Sequence, residues 1–323
     1  MMPSIRSLVL VLGVFTTLTT VALAQNWPTR PVKIVVPSSP GGGTDTFARL
    51  ISPGLADALK QAFVVDNRPG AGGNIGAEVV AKAAPDGYTL LVSSIQALVV
   101  NPYLFKNLPY NAENDFVPVA PGVMSPLVIG VHPSMPAKTL ADLVALGKRD
   151  PGTLAYGSPG SGSSSYLGVR MLEEASGALF LHVPYKGSGP AYQGLLSGDL
   201  KFMMDVLGSF LPHIRSGKVR PLAVSVGTEL LPDTPTLAQA GYKDIEIYAS
   251  FMVVAPAGTP PAIVQRLNAE ISKAMKSPVI TERLYALALI PVFETPEQFA
   301  ASLTRARASW SAFIRRNNIV AQQ

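Results

Sequence analysis

The order of elements predicts an α/β protein made of two successive units and a helical tail. Three observations carry this. Strand, glycine-rich turn and helix follow one another twice after Val32 and lead into a third strand. The same pattern restarts at Phe116. Three amphipathic stretches close the chain after Ala257. Alternation of strands and helices is the signature of a parallel sheet.

The first unit opens at Val32 to Leu50, VKIVVPSSPGGGTDTFARL. Val32 to Val36 is mostly β-branched and reads as a buried strand. A turn rich in Pro, Ser and Gly follows. Thr44 or Asp45 reads as the N-cap of an amphipathic helix that runs to about Leu59. Phe63 to Asp66 reads as a second strand and Asn67 to Gly73 as a second glycine turn. Asn74 then caps a helix to about Ala83. After the turn at Ala84 to Gly87, Tyr88 to Val92 reads as a third strand, with Ser93 and Ser94 at its C-terminal end. Ligands collect at such ends in open parallel sheets.

In the second unit, Val117 to Val123 and Leu127 to Val131 read as two strands. Thr139 caps a helix to about Lys148. Leu154 to Gly157 is strand-like and opens into the run Ser158 to Ser165, with a helix to about Ala175. His182 to Gly187 reads as a strand end and turn, Ala191 to Leu196 as a short helix, and Leu200 to Asp205 as a strand ending on an acid. Pro212 to Ser216 reads as a helical turn and Val219 to Val226 as a strand. Phe251 to Ala255 is strand-like. In the tail, Thr259 caps a helix with Pro260 at its first position, running to Lys276. Pro278 begins another to about Leu287, and Thr295-Pro296 starts the last, whose Phe299, Leu303, Trp310 and Phe313 recur at helical spacing.

Bulk properties fit such a fold. Of 323 residues, 48% are hydrophobic and 15% charged, enough for a packed core and too apolar for disorder. The net charge of +5 is spread singly until Arg305, Arg307, Arg315 and Arg316, which read as a solvated helix face. Nucleic-acid binders cluster their cations with aromatics, so no nucleic-acid partner is expected. Met1 to Ser7 carries one arginine and no acid. Leu8 to Val21 is the length of a signal h-region and too short to span a bilayer, and Ala22-Leu23-Ala24 fits a cleavage site, so residues 1–24 read as a signal peptide. The alternative is a membrane anchor. The chain has no cysteine, hence neither disulfides nor a lipid-attachment thiol. The simplest address is the periplasm.

Enzyme signatures fail one by one. No serine stands in Gly-x-Ser-x-Gly. PGGGTD has an acid where a phosphate loop needs lysine, and Ile75 stands where a dinucleotide fingerprint needs its third glycine. His132, His182 and His213 lie far apart and read as structural, so neither metal nor cofactor is expected. What remains is three polar turns, Ser38 to Asp45, Ser158 to Ser165 and Tyr185 to Gly189, each leading into a helix. Backbone N–H groups, hydroxyls and a helix N-terminus hold an anion without transforming it. Only the third turn offers a cation, Lys186. Asp45 reads first as a cap and otherwise as a ligand contact. Asp205 reads equally as acceptor of a ligand ammonium or hydroxyl and as a tie for a neighbouring loop. Arg68 reads as one partner of a structural ion pair.

Segments in a fixed order carry a resemblance. They are WPTRPVKIVVPSSPGGGTDTFARL, DNRPGAGGNIGAEVVAKAAPDGYTLL, NPYLF, HVPYKGSGPAY, LPHIRSGKVRPLAVS and APAGTPPAIVQRLNAEI. Together they resemble the substrate-binding proteins of tripartite tricarboxylate transporters, the Bug receptors, over nearly the whole mature chain. The resemblance implies a type II periplasmic-binding-protein fold, two α/β lobes with a cleft and two hinge strands. Lobe 1 is then 25–124 plus 250–323, and lobe 2 is 125–249. It implies that carboxylates are held by main-chain amides, hydroxyls and water. Carried over, Ser39, Gly41, Gly42, Gly43, Thr44 and Asp45 form the first clamp, and Ser93 and Ser94 line the cleft. Gly157, Ser158, Gly160, Gly162, Ser163 and Ser164 form the second clamp, bordered by Tyr185 and Asp205. Ser38 and Ser39 replace the Phe-Pro common in relatives, Tyr166 stands at a usual histidine, and Val206 at a frequent asparagine. These departures suggest a ligand with more polar atoms.

The expected function is capture of a small carboxylate and delivery to the permease subunits of such a transporter, by a monomer. One alternative is a module presenting its closed form to a membrane sensor. Another is a hydrolase or lyase acting through Ser163 or Lys186, which lacks a partnered base.

Overall fold

The chain begins with β1 (Val32–Val36), α1 (Gly43–Leu59), β2 (Phe63–Asn67), α2 (Asn74–Ala81) and β3 (Thr89–Ser94) in the computed structural model, which describes residues 27–185 and 187–320. The expected signal peptide, residues 1–24, and Lys186 lie outside the described residues. A π-helical turn, Gln96–Val100, runs into the short helix α3 (Asn101–Leu104). Next come β4 (Phe116–Val131), α4 (Leu140–Arg149), β5 (Ala155–Ser158), α5 (Ser164–Ser176), β6 (Leu181–Pro184) and α6 (Ser188–Ser197). They are followed by β7 (Phe202–Val206), α7 (Leu207–Arg215), β8 (Arg220–Val224) and β9 (Tyr248–Pro256). The tail is α8 (Pro261–Lys276), α9 (Pro278–Ala286), β10 (Ile290–Pro291) and α10 (Pro296–Arg316).

One curled sheet joins everything, in the order β2-β1-β3-β9-β4-β7-β5-β6, with β8 and β10 also on β4. Each half has a parallel core. In the first, β1 lies parallel to β2 and β3; in the second, β5 lies parallel to β6 and β7. Helices cover both faces of β1, so Val32, Ile34, Val35 and Val36 are buried and only Lys33 faces out. Phe47, Ile51 and Leu55 line the buried stripe of α1, each removed from water at a gain of about 1.5–3 kcal/mol.

The long strand β4 links the halves. Its residues Phe116 to Pro126 pair with β9 and Leu127 to Val131 with β7 and β8. The sequence suggests two strands here, Val117 to Val123 and Leu127 to Val131, with a break over Met124 to Pro126. The structure has one, since Met124, Ser125 and Pro126 pair with Ser250, Ala249 and Tyr248 of β9, and the register slips upstream, between Pro118 and Ala120 and again between Ala120 and Val123. Such irregularities absorb residues that cannot donate to a ladder. Gly122 sits in the second slip at φ +69°, where a Cβ would stand 2.3 Å from Phe251 O.

Helix ends differ from expectation in instructive ways. Gly42, not Thr44 or Asp45, is the N-cap of α1, and it caps with backbone alone. Gly73 precedes α2, while Asn74 turns inward to accept from Asn101 Nδ2 at 2.6 Å and Tyr110 OH at 2.8 Å. Thr259 donates to Pro256 O at 2.7 Å and so faces away from α8, which starts at Pro261 behind Pro260. Helix α6 starts at Ser188, three residues earlier than expected, and Pro212 lies inside α7 rather than opening it. Thr139 and Thr295 do cap α4 and α10, each in a reciprocal capping box.

The tail packs on the first half. Asn268 on α8 donates to Val119 O at 2.7 Å and Glu294 O at 3.0 Å. Arg307 on α10 donates to Leu98 O at 3.2 Å and Ala112 O at 2.7 Å, fastening the helix to the π turn. Among the described residues no helix is long and apolar enough to cross a membrane.

Candidate functional site

The C-terminal ends of β1 and β5 each feed a glycine loop that leads into a long helix. The first loop, from Ser38 to Gly42, is held from below by a polar network. Asp45 is buried in the first turn of α1. Its carboxylate accepts from Gly41 N at 2.9 Å, Asn67 Nδ2 at 2.9 Å and Arg49 Nε at 3.0 Å. Asn67 also donates to Ser38 O at 3.0 Å and accepts from Arg49 Nη2 at 3.0 Å. Burial alone would raise the Asp45 pKa, but the Arg49 hydrogen bond, with those from Gly41 and Asn67, holds it below the ordinary carboxylate value. Asp45 therefore spends its oxygens on the loop itself. Among the described residues nothing accepts from the N–H groups of Gly43, Thr44 or Asp45. They are the unsatisfied donors of a helix start. A Cβ on Gly41 would meet nothing within 4 Å, so the loop's crest is open.

The second loop is more tightly folded on itself. Ser163 caps α5, accepting from Tyr166 N at 3.2 Å and donating to Gly160 O at 2.8 Å. Ser158, fully buried, exchanges hydrogen bonds of 3.2 Å with Gly160 N and O, and its Oγ lies 2.7 Å from His182 Nε2. A serine beside a histidine can act as a nucleophile when a substrate reaches it. Here the hydroxyl is shielded and committed to its own loop, so the pair is a brace. The third turn is zipped to the second, Tyr185 N to Ser158 O at 3.0 Å and Gly187 N to Pro159 O at 3.2 Å. A Cβ on Gly194 would stand 2.7 Å from the Tyr185 hydroxyl, which thus points at α6.

Asp205, at the end of β7, is 2% exposed. Its Oδ1 accepts from Ser165 Oγ at 2.9 Å and Val206 N at 2.8 Å, tying β7 to the first turn of α5. The Ser188 and Tyr192 hydroxyls face the carboxylate, yet Oδ2 meets no partner of hydrogen-bond geometry among the described residues. Burial raises the Asp205 pKa above the usual carboxylate range.

The expected residues thus divide. Ser39, Gly41, Gly42, Gly43 and Thr44 in the first loop, with Gly160, Gly162 and Ser164 in the second, sit at the loops and helix starts. Ser93 is fully buried and donates to Ser94 O at 3.1 Å, while Ser94 Oγ accepts from Gln96 N at 3.3 Å. Gly157 faces inward, since a Cβ there would stand 2.4 Å from Leu200 Cδ1. Ser158, Ser163 and Asp205 have inward partners. Arg68 pairs with Asp66 at 3.1 Å, as an ion pair.

The second loop meets the first half at the π turn and α3. Gln96 Nε2 donates to Ser161 O at 3.4 Å, and Gly162 packs on Leu104 and Val100. Neither Gln96 nor Asn67 stood out in the sequence. Asn67 could have been found, because β1 and β2 are adjacent parallel strands whose C-terminal ends must meet. Gln96 touches a residue 65 positions away and leaves no local signal.

Known proteins resemble this chain along most of its length. A family model described as the tripartite tricarboxylate transporter family receptor matches residues 47–319. Protein BugT of Bordetella pertussis is 38% identical over 314 residues, spanning 95% of this chain and 96% of that one. An adipate-bound protein of R. palustris superposes with a TM-score of 0.87 at 34% identity, covering 91% of this chain and 99% of its own. MatC of Rhodopseudomonas palustris, with bound malate, gives 0.82 at 32% identity, covering 89% and 100%.

Proposed function

This chain belongs to the tripartite tricarboxylate transporter receptor family, and from that premise we propose that it captures a small carboxylate between its two loop systems and hands it to a membrane permease. The family is one of periplasmic solute-binding receptors, not of enzymes. The observation that carries the proposal is the pair of glycine loops. Each ends a parallel strand and starts a helix, one per half of the sheet, and the second loop meets the first half where Gln96 of the π turn donates to Ser161 O. Free N–H donors at Gly43 to Asp45 and the positive end of α1 favour an anion.

Lobe 1 would comprise 25–124 plus 250–323 and lobe 2 125–249, with residues 1–24 removed as a signal peptide and the mature monomer working in the periplasm. The pairing of β4 with β9 on one side and β7 on the other supports this division. Ser39, Gly41 to Thr44, Gly160 and Ser164 would face the ligand, whereas Gly162 packs on Leu104 and Val100 of the first half. Donors on both loops are satisfied together only in the closed form, so the ligand selects it. Charge-assisted hydrogen bonds and modest apolar burial supply roughly 8 kcal/mol, a Kd near micromolar. Neighbours whose structures hold adipate and malate support dicarboxylates as the first acids to try.

Thermal-shift screening against mono-, di- and tricarboxylates, amino acids and aromatic acids tests the proposal, followed by calorimetry and mass spectrometry of the recovered ligand. A dicarboxylate that raises the Tm and returns unchanged is the expected result. A panel with no binder, or a ligand returned chemically altered, would overturn it.

A further inference from the structure

Besides the strands they share and the close approach of Gly208 on α7 to Leu287, the two halves of the sheet meet along helix α5. Ahead of its N-terminus, Gln96 Nε2 donates to Ser161 O at 3.4 Å. The next residue, Gly162, lies so close to the first half that a Cβ would stand 2.4 Å from Leu104 Cδ1 and 3.5 Å from Val100 Cγ1. In the last turn of α5, Glu174 accepts from Arg316 Nε at 2.7 Å, Arg316 Nη2 at 3.2 Å and Asn317 Nδ2 at 3.2 Å. All of these partners belong to one surface, formed by the π turn, α3 and the end of α10. Arg307 binds that surface together through Leu98 O and Ala112 O. Helix α5 is 13 residues long, about 20 Å, and the first half is touched just ahead of its N-terminus and in its last turn.

We propose that Gln96, Gly162, Glu174 and Arg316 form a two-ended seam that sets the closed population of the receptor and thereby its apparent ligand affinity. The proposal rests on the reading of the protein as a receptor that closes on its ligand. Opening the cleft about β4 and β9 separates α5 from the first half and breaks the seam contacts. A ligand that needs the closed form binds with its intrinsic affinity divided by the fraction closed, so each seam contact enters the Kd without touching the ligand. The seam does not shut unaided. Closure buries the Ser161 hydroxyl, which has no partner among the described residues, and losing its water opposes closure. The Glu174–Arg316 pair is largely exposed, at 35% and 62% of its side chains, so its pull is small and screened by salt.

Spin labels can read the closed population directly, because the chain has no native cysteine. Lys82→Cys and Lys148→Cys place labels on exposed positions of the two halves. Electron-electron distances are measured without ligand and with malate or adipate, alongside Kd by calorimetry. Glu174→Arg alone, Arg316→Glu alone and Gln96→Ala each deplete, without ligand, the distance population that ligand enriches, and raise the Kd roughly two- to fivefold. The double reversal Glu174→Arg with Arg316→Glu restores both, and the single-reversal effects shrink in about 1 M salt. Distances and Kd unchanged in the single variants, or no restoration in the double, overturn the seam. If the parent binds neither acid, the receptor reading fails for those acids, while the ligand-free distances still decide the seam.

Discussion

Gly41 donates its backbone N–H to Asp45 Oδ2 at 2.9 Å, so the first loop is fastened by a carboxylate from the helix it feeds. The same carboxylate takes Asn67 Nδ2 and Arg49 Nε. One buried acid therefore fixes both the crest of the loop and its attachment to β2. Its charge is already balanced within the protein, and the donors above it are left for something else.

Asp45→Ala should loosen this loop. It strands the Gly41 N–H and the Asn67 amide, at a cost of about 1–3 kcal/mol. Urea denaturation measures the loss, and ligand affinity should fall with it. The pH dependence has a definite sign. The folded-state pKa of Asp45 is lowered, so its contribution is complete above the ordinary value of about 3.9 and is lost as pH falls through the lowered one. Asp45→Asn should therefore flatten the acid limb of the stability curve. An acid limb identical to the parent's would show that the carboxylate bears no part of it.

Gly42→Val and Gly43→Ala should fail for opposite reasons. A Cβ on Gly42 meets only Ser39 O at 3.6 Å and Ser38 Oγ at 3.7 Å, which is ordinary contact. The fold should hold, with a Tm near the parent's, while the added methyls occupy the space over the helix start and abolish ligand-induced thermal shift. A Cβ on Gly43 would stand 2.4 Å from Phe251 Cζ, inside the core, so Gly43→Ala should lower the Tm itself. Normal ligand binding by Gly42→Val would remove the anion loop from the proposed function.

Strand–glycine turn–helix units were legible because β-branched runs such as Val32 to Val36 and punctuation such as Pro40-Gly41-Gly42 are local signals. Threonine capping at Thr139 and Thr295 was legible for the same reason. What escaped was non-local. Met124 to Pro126 looks like a break between two strands until Ser250, Ala249 and Tyr248 of β9 supply its partners. Asp45 looks like a cap until Asn67 and Gly41 are seen to claim its oxygens. The inward aim of Ser158 and Gly157 depends on His182 and Leu200, which lie 24 and more residues away. Sequence located the loops, and packing decided which of their side chains face out.

Gly122→Ala tests the slipped register in β4. Gly122 has φ +69°, and a Cβ there would press on Phe251 O at 2.3 Å and Phe47 Cζ at 2.8 Å. The left-handed backbone alone costs an alanine about 1–2 kcal/mol, and the backbone oxygen cannot rotate away. A Tm loss larger than a surface Gly→Ala change gives, such as at Gly152 where φ is +69° but nothing lies within 4 Å, isolates the packing share. Equal losses at the two sites would mean that strain accounts for everything and that β9 yields.

Asp205→Asn should become relatively more stabilising as pH rises. Burial raises the folded-state pKa of Asp205, so the native protein holds this proton more tightly than the unfolded chain does. Between the ordinary carboxylate value of about 3.9 and the raised one, parent stability falls as pH rises. Asparagine keeps an acceptor for Ser165 Oγ and Val206 N, and places an amide where Oδ2 lacks a partner, facing the Ser188 and Tyr192 oxygens. Comparison of the two Tm values at about pH 4 and about pH 8 checks the sign, with the variant gaining on the parent at the higher pH. Plain diacids should bind the variant as they bind the parent, because the carboxylate is 2% exposed and its hydrogen bonds run to β7 and α5. A parent advantage that grows toward pH 8 would instead mean an ionised Asp205 stabilised by its neighbours, and the burial argument would be wrong.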